Sequence, residues 1–146
     1  MAINPDFRDL YAALNDAGAR YLLVGGHAVG FHSQPRFTKD LDIWIDATPA
    51  NAASVFHALD TFGAPLGALR AQDLSTDGVV FQIGIPPNRI DILTSIDGVT
   101  FAEAWPARVD TTYGDQAIHV IGRDHLRHNK LTTARAQDLL DAALLK

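Results

Sequence analysis

Asp40 and Asp42 stand two apart in the string Asp40-Leu41-Asp42-Ile43-Trp44-Ile45-Asp46. The alternation of apolar and polar residues is that of a strand, whose successive side chains point to opposite faces. Leu41, Ile43 and Ile45 then share one face, and Asp40, Asp42, Trp44 and Asp46 share the other. Residues two apart on a strand are ~6.5 Å apart along the backbone, so the carboxylates of Asp40 and Asp42 can lean to a common point. Two such charges ~4 Å apart repel by about 1 kcal/mol in water and about 4 kcal/mol at an effective dielectric of 20. A fold that holds them together in a cleft therefore favours a cation there. Hard oxygen donors, in a chain with no cysteine, point to Mg²⁺ or Mn²⁺. An Asp-x-Asp pair alone also describes a solvated strand face. Trp44, on the same face, is out of place in that reading.

A third carboxylate comes from Arg89-Ile90-Asp91-Ile92-Leu93. Ile90 and Ile92 face a core, so Asp91 lies on the opposite side, where it needs a hydrogen bond, an ion or water. If this strand pairs beside 40–46, three carboxylates converge, an arrangement suited to metal-assisted phosphoryl or nucleotidyl transfer. Gly25-Gly26 ends the apolar run Tyr21-Leu22-Leu23-Val24. Glycines let a ligand approach the backbone closely, and the free N–H groups of a following helical turn attract anions. Arg36 and Lys39 precede the acidic pair. They would offset its field or touch phosphate, or simply form a basic loop. His27 reads as a structural histidine, and His125 with His128 as a solvated helix face.

The elements that must position these residues are legible. Asn4 caps a first helix, Pro5 opens it, and Phe7, Leu10, Tyr11 and Leu14 make its apolar face before Gly18. Residues 21–24 form a buried strand and 27–31 a short helical stretch. Thr48-Pro49 opens another helix, closed by Gly63, with Ala52, Val55, Phe56, Leu59 and Phe62 apolar. Residues 64–77 allow one short helix. Val79 to Ile85 and Arg89 to Leu93 form a hairpin around Pro86-Pro87-Asn88, and 107–112 and 117–121 a second around Gly114-Asp115. Two helices, 123–133 and 135–145, end the chain. The expected architecture is an α/β (α+β) domain, residues 1–146, with a mixed sheet flanked by helices.

The string Val24-Gly25-Gly26, thirteen residues, Asp40-Leu41-Asp42-Ile43 and a later strand with Asp91 resembles the nucleotidyltransferase superfamily typified by DNA polymerase β. GGHAVGFHSQPRFTKDLDIWI, PPNRIDILTSIDGV and HNKLTTARAQDLLD are similar to small bacterial nucleotidyltransferase-like proteins related to abortive-infection toxins. The likeness runs from about Tyr21 to Leu145. It implies a polymerase-β-like fold with Asp40 and Asp42 holding metal ions, Asp91 as the third acid, and Gly25 and Gly26 meeting a nucleoside triphosphate. It further implies that Lys130 faces the nucleotide phosphates and that Arg135, Asp138 and Asp141 belong to an accompanying Arg-x-x-Asp-x-x-Asp stretch. Gly26 stands where many active relatives carry serine. The implied reaction is Mg²⁺-dependent transfer of a nucleoside monophosphate to a hydroxyl of RNA (a tRNA end), protein or a small molecule, within a toxin–antitoxin system or outside one. A homodimer or an antitoxin partner would fit such a chain.

Composition narrows the classes further. The chain is 47% hydrophobic and 20% charged, which is globular rather than disordered. Twelve Lys and Arg against 17 Asp and Glu give a net charge of −5, so polynucleotide binding would need a local basic patch. With no cysteine there is no disulfide, thiolate zinc site or Cys nucleophile. No apolar run suits a membrane span or a signal core, and a cytoplasmic protein is expected. A dinucleotide-binding domain fits poorly, because Gly25-Gly26 lacks the G-x-G start and hairpins replace repeated βαβ units. The remaining rival is a non-catalytic nucleotide-binding or antitoxin-like partner with the same fold, in which three acids would have no purpose.

Overall fold

The computed structural model describes residues 3–38 and 40–146. Lys39, one of the expected phosphate contacts, lies outside the described residues. The elements are α1 (Pro5–Asp16), β1 (Tyr21–Val24), α2 (Gly25–His32), β2 (Asp40–Ile45), α3 (Pro49–Phe62), β3 (Val80–Ile83), β4 (Arg89–Leu93), α4 (Phe101–Ala104), β5 (Val109–Tyr113), β6 (Gln116–Val120), α5 (Arg123–Thr133) and α6 (Ala136–Leu144). Single 3₁₀ turns follow α3 and α4.

Six strands form one mixed sheet in the order β3-β4-β2-β1-β6-β5. The expected mixed α+β architecture is what the chain adopts. β1 runs antiparallel to β2, and β4 runs parallel to β2 on its other side. The two hairpins, β3–β4 and β5–β6, form the outer pairs, and β6 joins β1 in parallel.

Local chemistry explains the boundaries. The Asn4 side chain accepts hydrogen bonds from the N–H groups of Asp6 and Phe7, which fixes the start of α1. Its buried face is Phe7, Leu10, Tyr11, Ala13 and Leu14. α3 opens on Pro49 and stops at Gly63, whose φ of 91° is the left-handed conformation of a helix C-cap. Asn51 in α3 is buried but not idle. Its amide donates to the carbonyls of Arg20 and Asp46 and accepts from Arg20 N–H, tying the helix to the ends of β1 and β2.

The sheet is covered on both sides. Tyr11 of α1 packs its ring against Tyr21 and Tyr113 on one side. On the other, Trp44 is roofed by Phe101, which in turn stacks on Trp105. This second cover departs from the sequence expectation. α4 has only four residues, too short for a periodic signal, and its mark is a capping box in which Thr100 and Glu103 satisfy each other's backbone N–H. Trp44 is therefore core, at 2% exposure, and not part of a polar face. β2 ends at Ile45, which leaves Asp46 outside it. No helix among the described residues is long and apolar enough to cross a membrane.

Candidate active site

The site lies where β1 ends and β2 and β4 begin. The parallel register of β2 and β4 sets Asp40 opposite Arg89 and Asp42 opposite Asp91. Paired residues share a face, so the three carboxylates stand on the same side of the sheet. Leu41, Ile43, Ile90 and Ile92, all buried, hold that register from the other side. β1 brings its own end to the same place, because Val24 pairs with Asp42 and Gly25 follows it. Gly25 has φ of 70°, and a Cβ there would fall on the Asp42 carboxylate. Only glycine allows the backbone so close to that acid. A Cβ at Gly26 would meet Thr38 Cγ2 at 2.7 Å and Arg36 Nη2 at 3.4 Å, so the second glycine makes room for the 36–38 loop.

Arg89 is the residue that sequence reasoning missed. Its Nε lies 3.1 Å from Asp91 Oδ1 and 3.7 Å from Asp40 Oδ1, and its Nη2 donates to Asp91 Oδ2 at 3.3 Å. The signal was available, since positions 89 and 91 share a strand face. Among the described residues, Asp42 is the acid of the group that has no ion-pair partner. Burial pushes its carboxyl up to about 7, helped by the charges of Asp91 and Asp40 and opposed by Lys130 and Arg89. A carboxylate in that condition gains from any added cation. Among the described residues no three Asp, Glu or His side chains already converge as a cation cage, and the Arg89 guanidinium accounts for two of the acids. The donor set is all hard oxygen, and the acid left wanting a counter-charge is Asp42. Oxygen donors on one strand face, beside an acid that lacks a counter-charge, are chemically suited to a small divalent cation.

α5 and α6 supply the opposite wall. Lys130 is buried at 8% exposure, with Nζ 3.5 Å from both Asp138 Oδ1 and Asp141 Oδ2. Arg36 grips Asp141 with both nitrogens, at 2.7 and 3.2 Å. Arg135 caps α6 and holds Asp138 through its backbone N–H and side chain. Burial works to raise both carboxyls. The donors from Arg135 for Asp138, and from Arg36 and Gln137 for Asp141, outweigh it and hold both below the usual range. Ala134, at φ 55°, turns the chain between the two helices and allows this arrangement. Asp141 of α6 thus holds both Lys130 and Arg36, which lies beside Gly26 and 105 residues away in sequence. Thr38 Oγ1 is buried beside Gly26 without a partner among the described residues. His27 is a packing residue, edge-on to Phe7, its imidazole pulled down by burial.

Free N–H groups at the start of α2, beside the grouped acids and near Arg36, form a place where an anion and a cation could meet. The fold is that of nucleotidyltransferases. The lincosamide antibiotic adenylyltransferase LnuA, solved with lincomycin bound, superposes with a TM-score of 0.59 at 18% identity, over 99% of this chain and 98% of its own. A Thermotoga maritima protein provisionally described as a nucleotidyltransferase superposes with a TM-score of 0.65 at 13% identity, over 95% of this chain and 91% of its own. No family model and no curated protein sequence matches the chain.

Proposed function

We propose that the protein is a minimal nucleotidyltransferase that moves a nucleoside monophosphate from a nucleoside triphosphate to a hydroxyl. The observation that carries this reading is the pairing of Asp42 with Asp91 across β2 and β4, beside Gly25, where a larger residue would run into the Asp42 carboxylate. Backbone N–H groups at Gly25 and Gly26 bind the triphosphate, and the orphaned Thr38 hydroxyl and the Arg36 guanidinium add donors on that side. Lys130 balances the charge of the wall. Asp40, Asp42 and Asp91 would hold Mg²⁺ or Mn²⁺, which when bound neutralises phosphate charge and acidifies a hydroxyl. The attacking oxygen bonds to the α-phosphorus, pyrophosphate leaves with the P–O electron pair, and Asp91 takes the hydroxyl proton. Positioning and charge neutralisation supply the acceleration.

The acceptor we favour is a small molecule. LnuA, a lincosamide adenylyltransferase, is spanned over 98% of its length by this chain, so a domain of this size suffices for such an acceptor in that protein. The net charge of −5 also disfavours a long nucleic-acid footprint. A toxin acting on tRNA or protein, and an antitoxin-like partner that only binds nucleotide, are the competing roles. Incubation of the protein with each α-³²P-labelled triphosphate, Mg²⁺ and fractionated cell extract separates them. Label on a small compound is the expected result, and Asp91→Asn should reduce it at least about a hundredfold, as loss of a proton acceptor does. Label on RNA or protein would move the role to a toxin. Wild-type turnover in Asp91→Asn would overturn the mechanism.

A further inference from the structure

Three carboxylates and one guanidinium occupy a square of four paired positions, with Asp40 facing Arg89 and Asp42 facing Asp91. Arg89 is not a peripheral charge here. Its Nε sits 3.1 Å from Asp91 and 3.7 Å from Asp40, acids on two different strands, and its guanidinium engages both oxygens of Asp91. A guanidinium bound through two nitrogens presents the geometry that best satisfies a carboxylate. The strand fixes it there, because residues 89 and 91 are held on one face by the buried Ile90 and Ile92 around them. Oxygens of both Asp91 and Asp40 thus already face a cationic group.

We propose that Arg89 is the resident cation of this site, holding Asp40 and Asp91 in place until a divalent ion displaces its guanidinium. The proposal rests on the nucleotidyltransferase reading. Arg89 keeps the acid group ordered without metal and weakens the binding of free metal. A metal carried in by a triphosphate meets less opposition, since the phosphates give the released guanidinium a new anionic partner. Arg89 is therefore a positioning residue that makes metal loading depend on nucleotide.

The test is Mn²⁺ titration of the full chain at pH 8, with free Mn²⁺ followed by electron paramagnetic resonance. Arg89→Gln should bind Mn²⁺ about tenfold more tightly than wild type in the absence of nucleotide (about 1.4 kcal/mol). Arg89→Lys keeps the charge but loses the two-nitrogen grip, and should fall between wild type and Arg89→Gln on the same scale. Equal or weaker binding by Arg89→Gln overturns the proposal. A second measurement uses the wild-type chain alone. The ¹⁵N–¹H signal of Arg89 Nε, held by Asp91, should shift as Mg²⁺ is added, and a signal unmoved at saturating Mg²⁺ overturns displacement. Asp42→Asn tests the underlying reading separately: it should lose Mn²⁺ binding. If Asp42→Asn binds as wild type does while Arg89→Gln gains affinity, the ion sits elsewhere in the group and the nucleotidyltransferase assignment falls, but the exchange at Arg89 stands. Binding of Mn²⁺ by none of the proteins sinks both.

Discussion

Asp42→Asn should stabilise the protein, and by an amount that grows with pH. Burial and the neighbouring Asp91 and Asp40 raise the Asp42 carboxyl from its ordinary 3.8 to about 7. Below pH 4 it is protonated in both the folded and the unfolded chain, so it contributes no pH dependence. Between pH 4 and 7 the unfolded chain releases the proton and the folded chain keeps it. Stability therefore falls as pH rises through that window and levels off above it. A shift of about 3 units corresponds to a ceiling of about 4 kcal/mol at 1.36 kcal/mol per unit. Asp42 retains some contact with water, and solvent screening there reduces the expected penalty to about 2 kcal/mol. Asparagine has nearly the same shape and cannot ionise, so it escapes the penalty. In EDTA, the melting temperatures of the two proteins should coincide near pH 4 and separate by about 6 °C at pH 8, at roughly 3 °C per kcal/mol for a domain of this size. Other titrating groups are common to both proteins and cancel in the difference. A gap that does not change between pH 4 and 8, or an Asn variant that melts lower at pH 8, would refute the reasoning.

Two further substitutions probe the walls of the site. Gly25→Ala puts a Cβ against the Asp42 carboxylate in a left-handed backbone, and should cost at least about 2 kcal/mol in urea unfolding and abolish triphosphate binding measured by calorimetry. Asp141→Asn keeps the shape but removes the charge that Arg36 and Lys130 share, and should cost about 2–4 kcal/mol in the same unfolding experiment and weaken triphosphate binding by freeing Arg36 from the side of Gly26.

Residues close in sequence carried most of what could be read in advance. The DLDIWI alternation placed the two acids on one face, Asn4-Pro5 marked the start of α1, and Gly63 marked the end of α3. The three-residue spacing of Asp138 and Asp141 put them on one helix face, and both meet Lys130. What stayed hidden depended on contacts distant along the chain or on elements too short to show a period. Nothing near Arg36 signals that it will clasp Asp141, and nothing near Trp44 signals the roof that α4 provides. Arg89 is the instructive exception. Its spacing from Asp91 was as plain as that of Asp40 from Asp42, yet a lone arginine at a strand end reads as ordinary surface until its neighbour strand is known.

The decisive variable is register rather than residue content. With β4 slipped by one position against β2, Asp91 would face Leu41 or Ile43 and its side chain would pass to the opposite side of the sheet. Ile90 and Ile92 would then leave the core for the charged face. Both are essentially fully buried in the observed register, and burying a branched aliphatic side chain is worth about 1.5–3 kcal/mol. The slipped pairing thus forfeits several kcal/mol before any charge is considered. The three acids repel one another and do nothing to hold themselves together; the apolar residues between them do. That division explains why one face of β2 and β4 is uniformly aliphatic while the other carries Asp40, Asp42, Arg89 and Asp91. It also means that the acids can be exchanged one at a time without losing the sheet, which is what allows the chemistry to be tested apart from the fold.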